Sequence, residues 1–163
     1  MPSTATQLRA IYPLNEAIRR RLEEKRRERE EAARQTVERI AEIQRRERLV
    51  AQLMVDWLAQ NEGVEVDPDE LSAVLCHDGG YRITWRRDEA YVELLAQVTL
   101  HEDLDQSWVE VTEPEYSNAK WKGFTRQRGM SVYAEYGRFV DAVIYALGLD
   151  EEHYPISIEF MEV

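Results

Sequence analysis

The sequence predicts an α+β protein in which a long N-terminal helix precedes a small two-layer domain of about four antiparallel strands and one or two helices. Three observations carry this expectation. From Leu14 to Gln60 the chain has no Gly and no Pro and consists mostly of Arg, Glu, Ala, Leu, Gln and Ile, residues that favour helix interiors. After Asn61 and Gly63 the pattern shifts to short runs of alternating apolar and polar residues, the period of half-buried strands. The charge divides along the same line: residues 1–60 carry 13 Lys/Arg against 10 Asp/Glu, and residues 61–163 carry 8 against 22. The expected parts are a loosely ordered 1–13, a charged and amphipathic helix over 14–62, and an acidic α+β domain over 63–163.

Within the helix, Pro13 suits a first turn, where its missing N–H costs nothing, and Asn15 is an alternative cap. Arg19 to Glu31 is nearly all charge, with Leu22 its sole apolar residue. Arg20 with Glu24, Glu23 with Arg27, Arg26 with Glu30 and Arg27 with Glu31 are spaced for ion pairs along a solvated helix, each contributing about 0.2–0.5 kcal/mol. Further on, Ile40, Ile43, Val50, Met54 and Trp57 follow alternating steps of three and four, with Glu47 at the one polar position. That spacing is the seam of a coiled coil, and these five residues are the candidates for helix association. Leu49, Leu53 and Leu58 widen the stripe, as packing on a globular core requires. Residues 49–60 are therefore expected against the chain's own domain and 33–47 against another helix, although self-packing of the whole stripe explains the pattern equally well.

In the second half, Asp67-Pro68 is a cap and first-turn pair, which predicts a short helix over 68–76. Asp78-Gly79-Gly80 is a turn. Tyr81, Ile83 and Trp85 alternate with Arg82, Thr84 and Arg86, which predicts a strand with one wet face. A second strand is expected over 90–100, with Val92, Leu94, Ala96, Val98 and Leu100 inward, and a third over 107–112. Residues 114–130 show no period and read as a loop. Residues 131–147 read as an amphipathic helix presenting Tyr136, Phe139, Val140, Val143, Ile144 and Leu147, closed by Gly148. A last strand is expected over 155–161, with Ile156, Ile158 and Phe160 on one side.

Catalytic signatures are weak. His77, His101 and His153 each sit beside acids, but no two have a metal-ligand spacing, and Cys76 alone cannot build a cysteine zinc site. A divalent ion at the 101–105 turn is far less economical than a polar hairpin turn. Cys76-His77 invites a thiol nucleophile, yet Cys76 reads more simply as a small buried residue. Phosphate-binding and serine-hydrolase motifs are absent. The expectation is a non-enzyme with no cofactor and no metal. One cysteine and the lack of an apolar run of membrane length suit a reducing, cytoplasmic setting.

Residues 116–130 contain no acid, and their cations interleave with aromatics. Tyr116, Lys120, Trp121, Lys122, Phe124, Arg126 and Arg128 are the candidate partner-binding residues, since Trp, Tyr and Arg are enriched at protein hot spots. The same mix suits base stacking, and Trp121 and Phe124 could instead serve the core. The leading functional expectation is a non-catalytic protein–protein interaction or assembly protein. Its helix would associate, as a homo-oligomer with the dimer favoured, and its acidic domain would dock another protein, to which a basic surface would be complementary. The alternatives are a decoy that blocks a nucleic-acid-binding protein through its acidic surface, and a weak nucleic-acid binder through 116–130. Direct nucleic-acid binding is disfavoured by the net charge of −11, and no membrane contact is expected.

Overall fold

A computed structural model describes residues 13–149 apart from 117 and 128. Residues 1–12 of the expected loose segment 1–13, the expected strand over 155–161 and Arg128 lie outside the described residues. The chain divides into two compact units, Met1–Ile43 and Gln44–Val163.

Helix α1 is Leu14–Glu62, the bounds that the absence of Gly and Pro predicts. Gly63 ends it with φ of 66°, a conformation that costs glycine little. In the first unit the side chains of α1 are solvated and joined by ion pairs. Arg26–Glu30 and Arg27–Glu23 form at 3.7 and 3.5 Å, as their spacing predicts. Arg20 pairs with Glu16, and Arg21 with Glu24 and Glu28. The hydrogen bond from Arg26 holds the Glu23 carboxyl below its ordinary value against the opposing effect of desolvation.

In the second unit α1 supplies Val50, Met54 and Leu58, one turn apart and fully buried. They join a single core with the inward residues of a seven-stranded sheet. Its strands are β1 (Leu71–Leu75), β2 (Tyr81–Arg87), β3 (Ala90–Leu94), β4 (Gln97–Glu102), β5 (Ser107–Thr112), β6 (Trp121–Gln127) and β7 (Met130–Tyr136). The order is β5-β4-β2-β3-β6-β7, with β1 also paired to β2, and every pairing is antiparallel. Helix α2 (Phe139–Ala146) packs on β3, β6 and β7 and adds Phe139, Ala142 and Ala146 to the core. The class is therefore α+β, with more strands than the four expected.

Four local expectations are corrected. The helix expected over 68–76 is a single 3-10 turn, Pro68–Glu70, followed by β1. Asp67 does cap that turn, accepting from the Asp69 N–H at 2.9 Å, but Leu71 and Ala73 point inward alternately and pair with β2. The expected 90–100 strand bends at Leu95 and Ala96 and becomes β3 and β4. Its pairing with β2 shifts by two residues, from Thr84↔Glu93 to Tyr81↔Val98. An even shift keeps each side chain on its original face, so Val92, Leu94 and Val98 all stay buried. Residues 114–130 are not a loop throughout, because β6 occupies 121–127. The helix expected to begin at Ser131 begins at Phe139, since Met130–Tyr136 pairs with β6 as a strand.

Carboxylates of α1 join the layers. Glu47, the polar residue in the stripe, accepts from the Leu75 N–H at 2.9 Å. Glu62 accepts from the Phe139 N–H at 3.1 Å, so a carboxylate sits at the positive start of α2. Arg138, at the cap position, contributes no side-chain bond there. On β6, a Cβ at Gly123 would lie 2.7 Å from the Ala142 carbonyl oxygen, so only glycine admits this approach of strand and helix.

Met54→Ala removes a fully buried side chain and should lower unfolding free energy by about 2–5 kcal/mol in a denaturant titration. Burial pushes the Tyr81 hydroxyl above its ordinary value, with Arg46 opposing and Glu102 and Glu47 adding to the shift. The unfolded chain then ionises first, so this contribution is intact below the ordinary tyrosine range and is lost as pH rises through the folded value. Stability should decline across that alkaline window, and Tyr81→Phe should remove part of the decline.

Candidate docking face of the sheet

Strand alternation leaves a second face of the sheet, opposite the core. On β2 it carries Arg82, Thr84 and Arg86; on β3, Tyr91 and Glu93; on β6, Lys122, Phe124 and Arg126; on β7, Ser131, Tyr133 and Glu135. Register turns these into rows. Arg86 lies opposite Tyr91, Tyr91 opposite Phe124, and Phe124 opposite Tyr133. One cation and three rings therefore run straight across four strands.

The row is held together by ring and cation contacts. Tyr91 and Phe124 meet edge to face at 4.9 Å, and Phe124 and Tyr133 are tilted at 6.1 Å, distances typical of favourable aromatic pairs. The Arg86 guanidinium is 5.1 Å from the Tyr91 ring centre. Lys122 Nζ lies 3.8 Å from the Tyr133 ring centre and 5.2 Å from that of Phe124. The Tyr91 hydroxyl donates to Glu93 at 3.0 Å, which orients that ring. Tyr133 is 58% exposed and Met130, at the start of β7, is also exposed. A shallow depression of about 390 Å³ opens beside the row, lined by Tyr91, Phe124, the cations Arg86 and Arg126 and the acids Asp88 and Glu89.

The partner-binding candidates from the sequence are thus divided. Lys122, Phe124 and Arg126 do lie together on this face. Trp121 does not; it is fully buried on the inward side, 4.8 Å from the Phe139 ring. Lys120 bonds Glu113 at 2.7 Å and sits 5.8 Å from the Trp57 ring centre. Tyr116 is exposed in the connection before β6. Tyr91, Tyr133 and Arg86 were missed. Tyr91 carried a visible signal, an aromatic on the wet side of its strand, whereas Tyr133 was hidden by the helical reading of its segment.

The helix-association candidates divide too. Ile40 and Ile43 are 50% and 40% exposed. Val50 and Met54 are used in the chain's own core, and Trp57 is partly buried against it.

Elsewhere, Cys76 is half-buried and its thiol lies 3.7 Å from the Val74 carbonyl oxygen. The Asp78 side chain accepts from the Gly80 N–H at 3.0 Å, closing the turn. His101 stacks on Trp108 at 5.1 Å and bonds Glu110 at 2.9 Å. Among the described residues no group of three or more His, Cys, Asp and Glu is placed to hold a metal, and no described helix is long and apolar enough to cross a membrane.

No protein-family model matches the chain, and comparisons with curated proteins and with solved structures give no match.

The two faces of β6 and β7 predict opposite responses. Trp121→Ala should cost about 3–5 kcal/mol. Tyr133→Ala should cost no more than about 1 kcal/mol, the scale of a cross-strand pair. Paired denaturant titrations measure both, and equal losses would mean that the outward row is structural.

Proposed function

We propose that the protein is a non-catalytic interaction protein that docks a protein partner on the outward face of β2, β3, β6 and β7. The observation that carries this reading is the Arg86–Tyr91–Phe124–Tyr133 row, set in one register with Lys122 over its rings. Rigid aromatic area beside cations is the composition of an interface hot spot. Its rings are pre-ordered by one another, so little side-chain entropy is lost on docking.

The same geometry favours a protein partner over nucleobases. Stacking of a base needs an open ring face, and Lys122 and Arg86 already lie over Tyr133 and Tyr91. Helix association is a second mode of assembly, supported by Val37, Ile40 and Ile43, which leave an exposed apolar strip on α1.

The test compares proteins captured from cell extract by the wild-type chain, by Tyr133→Ala with Lys122→Gln, and by Ile40→Glu with Ile43→Glu. Light scattering gives the mass of each variant in parallel. The face variant should lose captured proteins that the helix variant retains, and the helix variant should have a smaller mass with unchanged thermal unfolding. Identical capture by wild type and face variant would refute the docking role of the row. An unchanged mass in the helix variant would refute helix association.

A further inference from the structure

We infer that the exposed apolar strip of α1 is covered by α1 of a second copy of the chain, running antiparallel to it. The inference rests on the helix-association reading above and adds the partner, its direction and a second cluster of contact residues.

The strip is longer than Val37, Ile40 and Ile43. Leu14, Ile18 and Leu22 are exposed on α1 as well. From Ile18 to Ile40 is 22 residues and from Leu14 to Ile43 is 29, each within half a residue of a whole number of helical turns. The two clusters therefore lie on one side of the helix. Their spacing follows the 3.6-residue period of a straight helix rather than the 3.5 of a left-handed supercoil. Between them the same side carries Lys25, Arg29, Ala32 and Thr36. The Thr36 hydroxyl donates to the Ala32 carbonyl at 2.9 Å, so its polar atom is satisfied within the helix.

An occupant that covers both clusters must present two apolar patches about 33 Å apart, the length of 22 helical residues. A second α1 has two such patches at that separation. Direction follows from charge. Residues 14–28 hold six Lys/Arg and four Asp/Glu, and residues 29–43 hold three and four, so the halves carry +2 and −1. Parallel pairing would set each half against its like, Lys25 against Lys25 and Arg29 against Arg29. Antiparallel pairing about the midpoint sets each half against its opposite. It places Lys25 against the small Ala32. Only Arg29 then stays near its own counterpart, and Glu28 of the second copy lies beside it. The same pairing brings Leu14, Ile18 and Leu22 onto Ile43, Ile40 and Thr36 of the second copy, a two-fold contact that closes as a dimer.

Two measurements on the full chain test this. In sedimentation velocity across a concentration series, Ile18→Glu with Leu22→Glu should weaken association about tenfold or more, as Ile40→Glu with Ile43→Glu does, because each cluster covers the other. Tyr133→Ala with Lys122→Gln should associate like wild type. For direction, Cys76, the single cysteine, is replaced by Cys76→Ser, and Ile18→Cys and Ile40→Cys are made separately in that background. In a glutathione redox buffer the mixture should form a disulfide between positions 18 and 40, identified by peptide mapping, while neither variant alone should cross-link to itself. Self-linked 18 or 40 without the mixed product would overturn the antiparallel direction. Association of Ile18→Glu with Leu22→Glu at wild-type strength would overturn the pairing of the clusters and leave helix association through Ile40 and Ile43 standing. A monomer at every concentration would overturn both, and weakening by the sheet variant alone would move the contact off α1 and overturn the inference.

Discussion

Burial of Val50, Met54 and Leu58 against the inward side of the sheet is the contact from which the remaining arrangement follows. Three side chains at one-turn spacing fix which face of every strand is dry. Ile83, Trp85, Val92, Val98 and Trp121 then point to that side, and α2 completes the same layer. The helix also satisfies backbone groups that the core would otherwise leave unpaired. Glu47 takes the N–H of Leu75 and Glu62 that of Phe139, each a carboxylate placed where a donor needs an acceptor. The close approach at Gly123 belongs to the same layer, since α2 can seat on β6 only where a side chain is missing.

With its apolar surface committed to one side, the sheet leaves the other side to polar and aromatic residues. The bend at Leu95 and Ala96 lets the chain pair with β6 through β3 and with β5 through β4, so the outward face is wide enough to carry two separate groups. One is the row from Arg86 to Tyr133; the other is His101, Trp108 and Glu110 on the hairpin that ends in Leu104. Antiparallel pairing gathers residues from four strands into the first group.

The first unit follows a different logic. Between Leu14 and Ile43 large apolar side chains are sparse and lie exposed, and the helix there is supported by ion pairs such as Arg21–Glu24 and Arg26–Glu30. Such pairs are individually weak in water. Many of them along residues of high helix propensity sustain a solvated helix, and this leaves Ile40 and Ile43 accessible rather than buried.

By itself the sequence determined what depends on near neighbours. An unbroken run of helix formers and a terminal glycine set α1 from Leu14 to Glu62. Strict alternation and local turns set β2 and β5, and the excess of acids set the sign of the domain's charge. Tertiary structure alone decided β1, β6, β7 and the division of β3 from β4, because short runs such as 71–75 and 130–136 take the strand form only when a partner strand accepts their hydrogen bonds. It also decided which members of the candidate site meet. Lys122, Phe124 and Arg126 were legible as an acid-free aromatic segment, but the same segment offered Trp121, which alternation sends to the core. Tyr91 and Tyr133 stand beside Phe124 only through cross-strand register. Tyr133 reaches Phe124 across the β6–β7 hairpin, whose register its turn sets once both segments are strands, whereas Tyr91 reaches Phe124 through the pairing of β3 with β6, strands far apart in sequence that no local pattern joins.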